Sequence, residues 1–122
     1  MIGSLMMCVS VVILLIGMVA GMVMGIQQNF TLAPAHAHLN LVGGVLLFLF
    51  GLYYKLVPSA GNSTLARIQG WLHILGGVAL PAGVALTLSN HGAYFAAPAI
   101  GSVIVVFATL LFAVVLFRAE RD

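Results

Sequence analysis

Four apolar stretches, each long enough to cross a lipid bilayer, occupy most of the 122-residue chain. They cover residues 4–26, 36–57, 65–89 and 96–117. A membrane-spanning helix needs about 20 mostly apolar residues, so the pattern predicts an all-α fold, a bundle of four transmembrane helices. A soluble helical bundle would need polar outer faces, and a transmembrane β-barrel would need short segments of alternating polarity. The sequence has neither pattern.

Composition excludes most soluble functions. Hydrophobic residues make up 63% of the chain and charged residues 5%, and the mean hydropathy is +1.24. An ordinary soluble domain has about 25% charged residues, so a soluble enzyme and a disordered tail are both excluded. Four Lys and Arg residues are too few to form a basic surface for nucleic acid. We predict one transmembrane domain over residues 1–122, in contact with the lipid bilayer.

Polar residues, glycine and proline separate the predicted helices. The breaks fall at residues 27–34, 58–63 and 89–92. Ser63 or Thr64 is expected to cap the third helix. Pro98 lies near the start of the fourth helix, where its missing N–H is harmless. Pro81 is expected to kink the third helix.

The basic residues predict the direction of the chain through the membrane. In a four-helix topology they all fall on one side, at Lys55, Arg67, Arg118 and Arg121. Because basic residues are enriched on the cytoplasmic side, we expect both termini and the second loop in the cytoplasm. The N-terminal apolar run lacks the basic start of a signal peptide and is expected to be a retained helix.

Histidines carry the strongest functional signal, because an ionisable side chain inside a membrane is costly and is often functional. His36 and His38 open the second predicted helix, and His91 follows the third. The topology predicts that these three lie near the outer surface together with Asn40 and Asn90. They are candidate metal or cofactor ligands. Side chains wetted by lipid headgroups are the alternative interpretation of His36 and His91.

His73 occupies a different position. It lies within the third predicted helix, about 10 Å from the cytoplasmic end and roughly 20 Å from the outer histidines. It is a candidate for a second metal site. The alternative interpretation is a neutral imidazole that forms a hydrogen bond with a neighbouring helix.

The His-x-His spacing restricts how the two outer histidines can act. Residues two apart on a helix differ by about 200° of rotation, so His36 and His38 are expected to face opposite flanks. In that case they bind two different partners and do not chelate one ion. If the helix begins only at Leu39, both histidines lie in an extended segment and chelation becomes possible.

No complete catalytic constellation is present in the sequence. The two carboxylates, Glu120 and Asp122, follow the last predicted helix, and the single cysteine, Cys8, excludes an intrachain disulfide. A proton or ion carrier usually has a carboxylate within the membrane. Hydrolysis and coupled transport are therefore disfavoured, and ligation by imidazole remains.

Methionines and glycines of the first helix give further hypotheses. All six methionines lie within residues 1–24, and thioethers are good ligands for Cu(I). Met22 or Met24 with the outer histidines would form a periplasm-facing copper site, although lipid-facing or packing methionines explain the same pattern. Gly17, Gly21 and Gly25 form two overlapping G-x-x-x-G steps, which predict close packing of this helix face.

Three segments of the chain carry a resemblance to a known family. Residues 34–44 read PAHAHLNLVGG, residues 51–58 read GLYYKLVP, and residues 65–77 read LARIQGWLHILGG. The first two resemble the second helix of the haem-copper oxidase catalytic subunit, especially in its cbb3-type and nitric oxide reductase branch. The third resembles the block that follows this helix in the same family.

The resemblance implies a haem-binding role. In the family this helix begins outside with a histidine ligand of the low-spin haem. His36 matches that position best by its spacing to Gly51 and Pro58, and His38 lies one register away. The family's copper-site histidines and cross-linked tyrosine have no counterpart, so this chain alone is not expected to reduce oxygen or nitric oxide.

The family fold consists of three four-helix arcs, which implies that a four-helix chain rebuilds that shape as a homotrimer. We expect His36 of one protomer and His38 of the next to ligate a b-type haem, with Asn40 and Asn90 hydrogen-bonded around it. Such a protein would carry electrons for a redox partner in a bacterial inner membrane. Copper handling is one alternative, and an accessory or assembly subunit without a cofactor is another.

Overall fold

The computed structural model describes residues 1–90 and 95–121, and every regular element in them is helical. Four of the helices are long and apolar enough to cross a membrane. We label them α1 (Ile2–Gln27), α2 (Ala33–Leu56), α3 (Thr64–Ser89) and α4 (Ala96–Arg121). A single helical turn, Pro58–Gly61, lies between α2 and α3. The four predicted spans are confirmed.

The ends of the helices follow from local chemistry. α2 begins at Ala33 rather than at residue 36, because Pro34 fits the first turn of a helix. Ser63 is the N-cap of α3, and its Oγ accepts a hydrogen bond from the Ala66 N–H at 3.1 Å, as predicted. α4 continues past residue 117 to Arg121. α1 ends at Gln27, and its C-cap residue, Gln28, adopts a left-handed conformation with φ 52°.

α2 is not a uniform α-helix. It is α-helical over Ala33–His38 and Leu47–Leu56, but the segment between them, Leu39–Leu46, is a π-helix. The π segment contains adjacent glycines, Gly43 and Gly44, which restrain a helical backbone poorly. The sequence pattern gave no indication of this widened turn. π-helical turns are rare and occur frequently at functional sites.

Neighbouring helices in the sequence pack against one another, so that α1 lies along α2, α2 along α3, and α3 along α4. Glycine allows the backbones to approach closely. A Cβ placed on Gly43 of α2 would lie 2.8 Å from the Gly77 carbonyl oxygen of α3. A Cβ placed on Gly51 would lie 2.8 Å from the Gly3 carbonyl oxygen of α1. No side chain larger than hydrogen fits at these crossings without moving a backbone.

Pro81 lies buried within α3, and the helix continues through it to Ser89. Its ring nitrogen carries no hydrogen and cannot donate to the Gly77 carbonyl one turn earlier. This same carbonyl lies at the close crossing with Gly43 of α2. Because of Pro81, the Gly77 carbonyl lacks its usual hydrogen bond within α3 at the point where α2 and α3 touch.

The basic residues lie at one end of the bundle, which we call the basic end: Lys55, Arg67, Arg118 and Arg121. Contacts between helices hold this end together. The Lys55 ammonium donates to Ser4 Oγ at 2.9 Å, and the Tyr53 hydroxyl donates to Glu120 at 3.2 Å. Phe50 of α2 stacks on Phe112 of α4 with ring centroids 3.9 Å apart. The opposite end, which carries His36 and His38, is called the histidine end.

Most of the outer surface of the helices is apolar. Only 22% to 33% of the residues in the most hydrophobic part of each span are buried within the chain. Large side chains such as Leu15, Val103 and Leu110 are more than half exposed. Such surfaces are stable in contact with lipid or with another apolar surface, so the chain is an integral membrane protein.

The α2–α3 crossing yields a prediction about stability. Gly43→Ala should lower the thermal unfolding midpoint in detergent, because overpacking against the Gly77 carbonyl costs about 1–3 kcal/mol. Gly25→Ala is the matched control, since a Cβ there meets nothing within 4 Å. Alanine in a helix is favoured over glycine by about 1 kcal/mol, so the control midpoint should stay the same or rise. Equal midpoints for the two variants would contradict the crossing.

Candidate functional site

His36 faces α1 from the first turns of α2. Its Nε2 atom lies 2.8 Å from the Gly17 carbonyl oxygen. A carbonyl oxygen only accepts hydrogen bonds, so Nε2 carries the proton in this arrangement. The Asn40 Nδ2 atom is 2.9 Å from the same ring nitrogen and 3.0 Å from the His36 carbonyl oxygen. Because Nε2 is itself a donor, the Asn40 amide donates to the carbonyl.

The glycine face of α1 makes room for these two polar side chains. A Cβ placed on Gly17 would collide with the Asn40 side chain, and one placed on Gly21 would lie 2.8 Å from His36 Nε2. The predicted close packing of this face is confirmed at Gly17 and Gly21 but is wrong at Gly25, where a Cβ would meet nothing within 4 Å. The motif indicated only general packing, whereas in the structure it accommodates His36 and Asn40. The sequence signal that could have indicated this contact is the pair of polar residues, His36 and Asn40, on the helix that follows the glycine motif.

His38 faces the other flank of α2 and is exposed. Its Nδ1 atom lies 2.7 Å from the Pro34 carbonyl oxygen, so Nδ1 carries the proton and donates. The Nε2 atom of this neutral tautomer is therefore unprotonated and has a lone pair on an exposed side chain. Histidines that bind metals are commonly held in this way, with the second nitrogen donating to a backbone carbonyl.

Both outer histidines lie in regular helix, because α2 begins at Ala33. The possibility of an extended segment that begins the helix at Leu39 is therefore wrong. His36 contacts α1 and His38 is exposed, in agreement with the predicted rotation of about 200° between them. Within one chain the two rings do not converge on one ion.

A cleft of about 560 Å³ lies beside His36 at the histidine end, between α1, α2 and α3. Pockets for small ligands and cofactors typically measure about 300–1,000 Å³. Most of the walls are apolar, and they include Leu39, Val78 and Pro81. Polar or sulfur-containing side chains in the lining come from the same end of the bundle: Met24, Gln27, Asn29, Thr31 and His36.

The remaining predicted residues of this end have separate positions. Asn90 follows the last residue of α3, and its Nδ2 atom donates to the Leu86 carbonyl at 3.0 Å. His91 lies outside the described residues. Met22 is 61% exposed on α1 and does not line the cleft, whereas Met24 does. Asn40 and His36 are thus the predicted pair that the structure brings into contact.

His73 is fully buried between helices. Its Nε2 atom donates to the Val42 carbonyl oxygen of α2 at 2.9 Å, and the ring of Phe50 meets it edge to face with centroids 5.2 Å apart. The predicted hydrogen bond between His73 and a neighbouring helix is confirmed. Val42 belongs to the π segment, so the widened turn receives a donor from α3.

Metal ligation within one chain is not evident from the side-chain geometry. Residues 1–90 and 95–121 contain no group of three or more His, Cys, Asp or Glu side chains placed to hold a metal ion. Comparison with protein-family models, curated proteins and solved structures finds no match for the chain. Two features of the histidine end could bind a ligand: the free Nε2 atom of His38 and the apolar cleft beside His36.

The tautomers and burial of the histidines predict their reactivity. Diethyl pyrocarbonate acylates unprotonated imidazole nitrogen, so His38 should react fastest at neutral pH, and buried His73 should react slowest. The protein is treated in detergent, and mass spectrometry of its fragments measures the acylation rate of each histidine separately. Protein unfolded in a denaturing detergent is the control, in which these rates should converge. Equal rates for His38 and His73 in the folded protein would contradict the described geometry.

Proposed function

We propose that this chain is a b-type haem-binding membrane protein that transfers electrons or handles haem. The haem is held by histidines of the histidine end where two protomers meet. The observation that carries the proposal is the exposed His38 ring, whose Nδ1 donates to the Pro34 carbonyl at 2.7 Å and leaves Nε2 free. No other described histidine combines a fixed tautomer with an exposed free nitrogen.

His38 provides the first ligand. A metal-binding imidazole must be neutral and must present an unprotonated nitrogen. The backbone hydrogen bond of Nδ1 selects that tautomer and raises the basicity of Nε2. Because the side chain is exposed, a group bound to it lies outside its own four helices. This position favours a site shared with a second chain.

His36 of a neighbouring protomer provides the second ligand in this proposal. It lines the 560 Å³ cleft, whose apolar walls suit the largely apolar face of a porphyrin. To hold the iron, His36 would give up the hydrogen bond from Nε2 to the Gly17 carbonyl and carry its proton on Nδ1 instead, while Asn40 would keep its hydrogen bond to the His36 backbone. Asn90 lies at the same end of the chain, and Asn90 and the residue that follows it in the sequence, His91, are candidate partners for the haem propionates. A haem held by two imidazoles supplies one-electron transfer.

The assembly and the orientation complete the proposal. The extensive apolar exposure of the helices supports a homo-oligomer, and the resemblance to a four-helix arc of the haem-copper oxidases favours a homotrimer. The basic end faces the cytoplasm of a bacterial inner membrane, in accordance with the positive-inside rule. The histidine end and its haem then face the periplasm, where a redox partner would exchange electrons.

Copper binding is a second candidate, favoured by two of the side chains that line the cleft. Met24 and His36 both line it, and a thioether with an imidazole suits Cu(I). This alternative requires no second chain. A membrane subunit without a cofactor is the remaining alternative, and it assigns the histidines to packing alone.

Visible spectroscopy of the detergent-purified protein tests the function. After expression with haem supplied, the protein should show a Soret band and, once reduced with dithionite, sharp α and β bands. His38→Ala and His36→Ala should each lose most of the bound haem. Leu41→Ala is the matched control, because Leu41 is an exposed residue one turn beyond His38 on α2. Its spectrum should equal that of the unmodified protein.

Two results would overturn the haem proposal. The first is a protein without a Soret band, and the second is a His38→Ala variant with unchanged haem content and spectrum. Metal analysis of the same sample then separates the alternatives. Bound copper that is lost in Met24→Leu supports the copper site, and the absence of both groups supports the subunit without a cofactor.

Cysteine labelling tests the orientation. In a Cys8→Ala background, Thr31→Cys places a thiol at the histidine end and Asn62→Cys places one at the basic end, both at exposed positions. A membrane-impermeant maleimide should label Thr31→Cys in intact cells, and Asn62→Cys only after the membrane is permeabilised. The reverse pattern would show that the basic end faces outward.

A further inference from the structure

Three polar side chains are fully buried among the described residues: Ser10, Gln69 and His73. Ser10 is satisfied within its own helix, because its Oγ donates to the Met7 carbonyl at 2.7 Å. Gln69 and His73 each keep one buried atom without a hydrogen-bond partner in residues 1–90 and 95–121. These atoms are Gln69 Nε2 and His73 Nδ1. Both belong to α3, in the half nearer the basic end.

The two unpaired atoms are complementary. The Tyr54 hydroxyl donates to Gln69 Oε1 at 3.0 Å, which leaves the amide Nε2 as a donor. His73 Nε2 donates to the Val42 carbonyl at 2.9 Å, which leaves Nδ1 as an acceptor. One atom therefore requires an acceptor and the other requires a donor. Leaving either atom unpaired inside a membrane protein lowers stability.

Their spacing places the two side chains next to each other on one face of α3. Residues four apart on a helix are neighbours on one face, and Gln69 and His73 have this separation. The Gln69 amide is held by Tyr54, and the His73 ring is held by Val42 and Phe50. Neither side chain can turn toward the other without giving up a bond to α2. A third group is needed to satisfy both.

We infer that a binding site for one water molecule lies between Gln69 Nε2 and His73 Nδ1. Water accepts from the amide and donates to the imidazole. If the Gln69 amide is turned over, water satisfies the pair through its two hydrogens. A metal cation is unsuitable because the amide presents hydrogens, and an anion is unsuitable because the Nδ1 lone pair repels it. Internal waters of this kind join polar groups that lack another partner.

The water completes a chain of hydrogen bonds between α2 and α3. The chain runs from the Tyr54 hydroxyl through Gln69, the water and His73 to the Val42 carbonyl. It leaves α2 near the basic end and returns to α2 in the π segment. The water thus connects the widened turn to the basic end, and this assignment is independent of haem binding at the histidine end.

Nuclear magnetic resonance of the isotope-labelled protein in detergent micelles tests this inference. The Gln69 side-chain amide should show a cross-relaxation peak with water, of the sign given by a long-lived bound molecule. The peak should be lost in His73→Phe, which keeps a ring against Phe50 but removes the acceptor. Ser10→Ala is the matched control, because Ser10 is also a fully buried polar residue but is satisfied within its own helix by the Met7 carbonyl. The water peak should survive in that variant.

The unmodified protein also provides a test if His73→Phe does not fold. The ¹⁵N shift of His73 Nδ1 should be that of an unprotonated nitrogen that accepts a hydrogen bond. A bare-nitrogen shift together with no water peak at Gln69 would overturn the inference. A through-bond coupling from Gln69 Nε2 to His73 Nδ1 would also overturn it, because the two side chains would then bond directly.

Discussion

Every polar group that enters the membrane with this chain has to be satisfied inside the protein, because lipid tails offer no hydrogen-bond partner. Among the described residues, Gln69 Nε2 and His73 Nδ1 are the buried side-chain atoms that lack a partner in the chain, and the inferred water supplies it. His36 donates to a carbonyl of α1, and His73 donates to a carbonyl of α2. These bonds set the tautomer of each ring and orient the helices relative to one another. The proposed ligand His36 is therefore also a side chain that holds two helices together.

Glycine makes these polar contacts possible. At Gly17 and Gly21 the missing side chains leave space for Asn40 and His36, and at Gly43 the backbone itself meets α3. The crossing at Gly43 lies in the π segment, next to the Val42 carbonyl that accepts the hydrogen bond from His73. Close packing and polar pairing therefore occur at the same places along α2. A larger residue at one of these glycines would disturb the helix packing and the polar contact together.

Sequence patterns predicted the four apolar helices because apolar length is a strong signal, and they predicted a cap at Ser63 or Thr64 because cap chemistry is local. The separation of His36 and His38 also followed from helical geometry. The tautomers could not be predicted, since each depends on a carbonyl such as Gly17 or Pro34 whose position requires the fold. The π segment was missed because adjacent glycines occur in ordinary helices as well. The Tyr54–Gln69 bond joins two helices, so spacing along the chain gave no indication of it.

The opposite directions of His36 and His38 on one rigid helix restrict the symmetry of any assembly that uses both. A two-fold axis that passes beside His38 places this residue against its own copy, so two chains would share one centre between two His38 rings. A head-to-tail interface brings unlike residues together and closes into a ring when the rotation permits. Each chain of such a ring contributes to two centres, and the ring holds one centre per chain. The ratio of cofactor to polypeptide therefore distinguishes the two symmetries.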